Sequence, residues 1–441
     1  MKIKYFIAVT FFLFGMNSQA QERKLLSLKE AIDLAINKSN EANLATTKIA
    51  TSKLEMETVK NNQYPNLKIS GQYLHLTQAN VNSNLSFGNS DPNAAPSASP
   101  KVEQLILGQA NLTMPLFNGF KLKNSVQASE SLFQSETYAA SHTKEQLGLQ
   151  VVELFSSLYK SQQMATLIED NLKSSQQRVK DFTAMEQNGL IARNDLLKSQ
   201  LQESNIQLSL DNAKKNVSVV NYQLATLLQL PENTQIDIDI EAVKSEMAKN
   251  LNAANGTRND LESLQLKQKA SEAGIKIAQS NYYPSISLIG GYIAFDLKNV
   301  LEVNNAINIG VGLSYDLSSV FKNSKEVKLA TSRALETKQA VTILSHKIKD
   351  EEHEAQENYK LSQKQSLVYD KALEQATENY RIVKDKYDNS LSTTNDLLEA
   401  DVDQLQAKIN QALSKADVAQ KYYELQFASG KLINSLNLSQ N

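Results

Sequence analysis

The chain has no cysteine and no tryptophan, and only 14 glycines and 7 prolines in 441 residues. Without cysteine there is neither a disulfide framework nor a lipidated N-terminal cysteine. An exported chain of this kind must draw its stability from packing or oligomerisation. Beyond the first twenty residues, no run approaches the ~18 apolar residues of a transmembrane helix. The net charge of −2 offers no basic surface, so no nucleic-acid partner is expected. The histidines are His75, His142, His346 and His353, and no Ser/His/Asp arrangement, phosphate loop or HExxH motif accompanies them. No catalysis, cofactor or metal is therefore expected. HKIKDEEH (346–353) sets two histidines about two helical turns apart with acids between them, and reads as a solvated charged helix face.

The first residues look like an export signal. Lys2 and Lys4 precede an apolar run from Tyr5 to Phe14, and Ser18-Gln19-Ala20 supplies small residues for cleavage, so a signal peptide over 1–20 is expected. The rest is rich in Gln, Asn, Ser, Lys, Glu, Ala and Leu, a mix that favours long helices with polar outer faces.

The chain repeats itself. NNQYPNLKISGQY (61–73) returns as SNYYPSISLIGGY (280–292), with Tyr64-Pro65 matching Tyr283-Pro284. LTMPLFNGFK (112–121) faces LSYDLSSVFK (313–322), and NGLIARNDLL (188–197) faces NSLSTTNDLL (389–398), both at an offset of 201 residues. Around the Tyr-Pro motif the offset is 219, the difference being an Asn/Ser/Pro/Ala-rich insertion at 81–101 that reads as an exposed loop. Each half therefore reads as helix, strand, loop, strand, long helix, turn, helix. The first repeat covers 21–230, with strands at about 66–80 and 103–117 and a helical hairpin over 120–230. A linker occupies 231–256. The second repeat covers 257–441, with strands at about 285–300 and 304–318 and a hairpin over 320–437.

From Phe120 to Gln187 there is no proline and one interior glycine, enough for a helix of ~100 Å. Val151, Leu154, Leu158, Ile168, Leu172, Val179 and Phe182 recur at spacings that define a packing seam, and Tyr359, Tyr369, Tyr380, Val383 and Tyr387 continue it in the second half. Partner helices begin at NDLL, giving two antiparallel coiled-coil hairpins that turn near Gly189 and Ser390.

Ile307, Ile309, Val311 and Leu313 alternate with Asn308, Gly310, Gly312 and Ser314, a period of two with one apolar face. Each such run is long enough to cross a bilayer as a tilted strand. Four strands cannot close a barrel, and an open edge in lipid leaves backbone groups unpaired. Spanning strands would thus require several chains to close one barrel. A soluble sheet covered by helices is the other reading of the pattern, but helices this long do not fit over so short a sheet. Tyr-Pro marks where a helix stops and a strand begins, since proline disfavours helix at the residue before it and tyrosine suits a membrane–water interface.

These motifs resemble those of the TolC-type outer-membrane efflux and secretion channels over nearly the whole mature chain. SLKEAIDLAINKSNEANLATTKIA (27–50) is similar to that family's N-terminal helix, MPLFNGF (114–120) to its strand-to-helix motif, and TRNDLESLQLKQKASEAGIKIAQSNYYP (257–284) to its second-half opening, with Asn259 in place of the usual proline. The resemblance implies an α+β membrane channel: a homotrimer with a 12-stranded β-barrel in outer-membrane lipid, four strands from each internally duplicated protomer. A long α-helical coiled-coil barrel continues it across the periplasm. It implies an exit duct of a tripartite efflux or type I secretion system, partnered by a periplasmic adaptor and an inner-membrane pump of RND, ABC or MFS type. By the same resemblance, Asp396 and Glu399 narrow the pore, Asp195 and Tyr387 latch the entrance, and Gly189-Leu190 with Ser390-Leu391 dock the adaptor. Ser392 stands where the family has a latch arginine, and Ser390 departs from the docking glycine. Helix-starting carboxylates at Asp195 and Asp396 also have an ordinary capping role. Two other classes compete. A periplasmic adaptor would show one hairpin between small β-domains, and a structural stalk would show heptads without paired strands.

Overall fold

The computed structural model describes residues 23–80, 101–239, 243, 247, 257–298 and 300–438. The expected signal peptide (1–20), residues 81–100 of the inserted loop and most of the linker lie outside them. The chain divides into two compact units, one of Met1–Lys48, Tyr138–Glu262 and Ile343–Asn441, the other of Ile49–Thr137 and Ser263–Thr342. Both repeats contribute to each unit.

The elements run β1 (Arg23–Leu26), α1 (Leu28–Lys38), α2 (Asn40–Asn61), β2 (Asn66–Asn80), β3 (Lys101–Asn118), α3 (Lys121–Gln187), α4 (Arg193–Leu227) and β4 (Gln235–Ile238). The second repeat adds α5 (Asn259–Ser280), β5 (Ser285–Leu297), β6 (Leu301–Ser314), α6 (Leu317–Asp388), α7 (Thr394–Ala428) and α8 (Leu432–Ser435).

One unit carries an antiparallel sheet in the order β2-β3-β5-β6. Its register aligns Ile69 with Ala110, Ala110 with Tyr292, and Tyr292 with Ile307. Directly opposed residues share a face, so Leu67-Leu112-Gly290-Ile309 and Ile69-Ala110-Tyr292-Ile307 form two rows of one apolar face. The row between them, Lys68-Asn111-Gly291-Asn308, lies on the other face and is polar, whereas further along that face Leu74, Leu105, Leu297 and Leu301 form an apolar row. β2 and β6 are the outer strands, each paired on one side only.

The Tyr-Pro motif ends a helix identically in both copies. Asn62, Gln63 and Tyr64 donate to Val59, Lys60 and Asn61, while Asn281, Tyr282 and Tyr283 donate to Ala278, Gln279 and Ser280. These i→i−3 bonds tighten the last turn, and a strand starts just past Pro65 or Pro284.

Entry into the long helices differs between the repeats. Asn118 accepts from the Leu122 amide through Oδ1, after Gly119 (φ 64) and Phe120 (φ 65). A Cβ on Gly119 would stand 2.5 Å from the Ser280 carbonyl oxygen, so only glycine fits there. In the second repeat, Asp316 Oδ1 accepts from the amides of Ser318 (2.9 Å) and Ser319 (3.3 Å). This cap starts α6 at Leu317 and ends β6 at Ser314, earlier than the sequence expectation of a strand to 318 and a helix from 320. The stretch 27–50, expected as one helix, is broken at Ser39, whose backbone is extended (ψ 155) and whose hydroxyl caps the next helix at the Ala42 amide.

The other unit is built around a buried cluster that includes Leu28, Ile32, Val151, Phe155, Leu224, Tyr423 and Ile433. β1 and β4 pair in parallel beside it. β4 is covered by side-chain amides, with Asn221 bonding both Thr234 O and Ile236 N and Gln162 donating to Ile236 O. β4 also gives the expected linker a fixed element. The expected seam is buried or half-buried at every position, from Val151 to Phe182 and from Tyr359 to Tyr387. No helix among the described residues is long and apolar enough to cross a membrane.

Candidate functional site

The two hairpin turns share one backbone design. Gly189 (φ 70) and Ser390 (φ 58) adopt the left-handed conformation. Their amides donate to Glu186 and Tyr387, and the following Leu190 and Leu391 amides donate to Met185 and Lys386. This pair of bonds is the Schellman arrangement that closes a helix end. Asn188 and Asn389 each add a side-chain bond, to Ala184 O and Asp385 O. Leu190 and Leu391 then project into solvent, 71% and 77% exposed. Serine at 390 keeps a conformation that glycine adopts more readily.

The turns lead into helices that start unequally. Thr393 caps α7, its hydroxyl accepting from the Asp396 amide while the Asp396 carboxylate accepts from the Thr393 amide, a complete capping box. Asp396 Oδ2 also takes hydrogen bonds from the hydroxyls of Thr393 (2.8 Å) and Ser392 (3.0 Å). These bonds, the Thr393 backbone bond foremost, hold the Asp396 carboxyl below its ordinary pKa. Ser392, at the position where the family resemblance implied an arginine, thus serves the cap. Glu399 is exposed one turn further along. In the first repeat Ala192 stands at the cap with no side-chain bond, and Asp195 pairs with Lys198 at 3.8 Å. The capping role therefore applies to Asp396 and not to Asp195.

Tyr387 stacks on Phe182, with ring centroids 5.9 Å apart and planes at 25°. Phe182, Leu196 and Leu397 form a buried cluster, joining α3, α4 and α7 behind the turns. Asp195, Tyr387, Leu190 and Ser390 line one cleft. Chemically, the cleft is a mixed polar and aromatic surface with no reactive constellation. Among the described residues no group of His, Cys, Asp and Glu could hold a metal, and His346 and His353 are exposed on α6.

Sequence reasoning missed a polar layer just behind this cluster. Arg178 bonds Asp401 at 3.1 Å, with side chains 10% and 5% exposed. The signal was present as a lone arginine on the apolar seam between Ser175 and Val179. Arg258, just before α5, is a second buried arginine that sequence reasoning missed, bonding Asp260 through Nε (3.1 Å) and Nη2 (2.7 Å) and also pairing with Glu351.

The fold has counterparts among solved outer-membrane channels. The chain is similar to the Campylobacter jejuni CmeC outer membrane channel (17% identity, TM-score 0.77, covering 94% of this chain and 90% of that one). It is similar to the outer membrane protein VceC of Vibrio cholerae (14%, 0.74, 94% and 97%) and to the open-state MtrE outer membrane channel of Neisseria gonorrhoeae (14%, 0.70, 91% and 88%). At these identities the likeness is one of fold. Residues 250–431 match the model of the outer membrane efflux protein family. No curated protein matches the chain.

Proposed function

We propose that the chain is the outer-membrane exit duct of a tripartite efflux or type I secretion system, extending into the periplasm after export by a cleaved signal peptide. The observation that carries this reading is the four-stranded sheet with adjacent apolar rows on one face and two one-sided outer strands, β2 and β6. In hydrocarbon those edges must be paired, and further copies of the same sheet supply the partners. Three copies give a 12-stranded barrel. Exposed leucines on the helices, Leu197, Leu201 and Leu208 on α4 and Leu361 and Leu367 on α6, support contacts between copies there too.

In this reading the turns face the periplasm. Gly189-Leu190 and Ser390-Leu391 dock an adaptor through their two exposed leucines. Asp396 and Glu399 ring the entrance, where carboxylates around one axis favour cations. Asp195 and Tyr387 hold the tips closed. An RND, ABC or MFS pump delivers the cargo. The test is assembly and conduction: the mature protein should fractionate with outer membranes as a heat-modifiable trimer and form pores in planar bilayers. A stable folded monomer in analytical ultracentrifugation would refute it.

A further inference from the structure

The buried pair behind the tip has a one-sided geometry. Asp401 lies on α7, in the second hairpin. Its carboxylate takes Arg178 Nη1 at 3.1 Å, Asn171 Nδ2 at 3.4 and 3.5 Å, and Gln202 Nε2 at 3.5 Å. Arg178 and Asn171 lie on α3 and Gln202 on α4. All three donors therefore belong to the first hairpin. A buried ion pair is tolerated only while its partners stay together, because separation strands both charges out of water. Sliding or splaying one hairpin against the other would do that.

The duplication makes the pair more telling. At the 201-residue offset, the counterparts of Arg178 and Asp401 are Asn379 and Gln200, both uncharged. Asn379 is exposed and Gln200 half-buried. The charged pair therefore has no counterpart at the repeat-related positions.

We propose that Arg178 and Asp401 brace the two hairpins of one chain and thereby set the resting width of the entrance, a role that rests on the duct reading above. Neither residue contacts the pore lining in this scheme, so both are positioning residues.

The experiment is a double-mutant cycle on the full-length trimer, Arg178→Met, Asp401→Leu and both together, read as resting conductance in planar bilayers. Each single change strands one buried charge and should raise conductance several-fold. The double change substitutes an apolar contact for the pair and should return conductance toward wild type, since buried pairs are often replaced by apolar residues without loss. Hydrogen exchange should accelerate at 397–405 in the single variants while 147–158 is unchanged. Trimers of the single variants with wild-type conductance and exchange overturn the proposal, as does a double variant whose effect is the sum of the two. Should the single variants not assemble, Arg178→Lys, which keeps the charge but loses the planar fork, should assemble with a smaller rise in conductance. Its failure to assemble would make the pair a folding determinant only and overturn the entrance role, and wild-type conductance in it would do the same. Wild-type protein that forms no pores overturns the duct reading and the entrance claim with it. Pores that ignore these variants overturn the brace alone.

Discussion

Three side chains at the tips show how single positions set local stability. Thr393 completes a capping box while Ala192, at the same place in the other repeat, does not. Ala192→Thr should therefore stabilise the first tip by ~1 kcal/mol, and Thr393→Ala should cost the second about as much. Ser390→Gly relieves a left-handed serine and should add roughly 1 kcal/mol. Thermal melts of the trimer, with hydrogen exchange at residues 186–198 and 387–399, check all three. Asp396 has a dual standing, since its Oδ2 accepts three hydrogen bonds within the cap and its lowered pKa keeps it ionised into more acidic solution. Replacing Asp396 and Glu399 together by alanine should lower cation preference and weaken block by multivalent cations in bilayer recordings. Lower melting temperature with unchanged selectivity and block would reduce Asp396 to its cap.

Among the elements, α8 is held by a buried acid on α3. Glu145, 3% exposed, accepts from the Ile433 amide at 3.3 Å, and its Oε1 has no partner among the described residues. Burial pushes its pKa up from 4.5 to about 7, against the backbone bonds from Ile433 and Leu432 that pull it down. The folded state thus holds the proton more tightly than the unfolded one. Stability from this group is full below pH ~4.5, falls as pH rises, and levels off above pH ~7, a loss of about 3 kcal/mol. Hydrogen exchange over 430–438 should speed up across that window in wild type, and Glu145→Gln should flatten the dependence. This acid was invisible in the sequence, where it is one of many charged residues on a polar helix. Its burial depends on Leu432 and Ile433, almost 290 positions away, folding back against α3. Local elements were easier to read. The Tyr-Pro stops, the seam from Val151 to Phe182 and the alternation from Ile307 to Leu313 follow from nearest-neighbour chemistry, and all three appear in the fold. The break at Ser39 and the early start of α6 at Leu317 were not read, because each depends on a single short side chain choosing to cap. At the tips the turn design was legible through the repeat. The Arg178–Asp401 pair was not, because its partners come from different repeats and share no motif.

At the scale of the whole molecule, the sheet cannot stand alone in lipid. Its apolar face includes Ile309 on the outer strand β6. On the duct reading, Ile309→Arg puts a charge at bilayer depth, where about 2–4 kcal/mol is lost in barrel proteins. The yield of heat-modifiable trimer from outer membranes should fall sharply, while Asn308→Arg in the polar row should leave it near wild type. Equal losses from both would count against a lipid-facing role for the apolar rows.

Four of the left-handed residues recur in pairs between the repeats. Each hairpin has one at its tip, Gly189 or Ser390, and one where its second helix ends, Gln229 or Gly430, in both cases 201 residues apart. The first repeat has glycine at the tip and glutamine at the base, and the second has serine at the tip and glycine at the base. A founder gene with glycine at both places accounts for the pattern with one replacement in each descendant. On the three-copy reading proposed above, such an ancestor, half the present length, would have needed six subunits to enclose the same ring. Fusion then freed the two copies to diverge, and a resurrected single repeat bearing both glycines offers a direct check through the mass of its assembly.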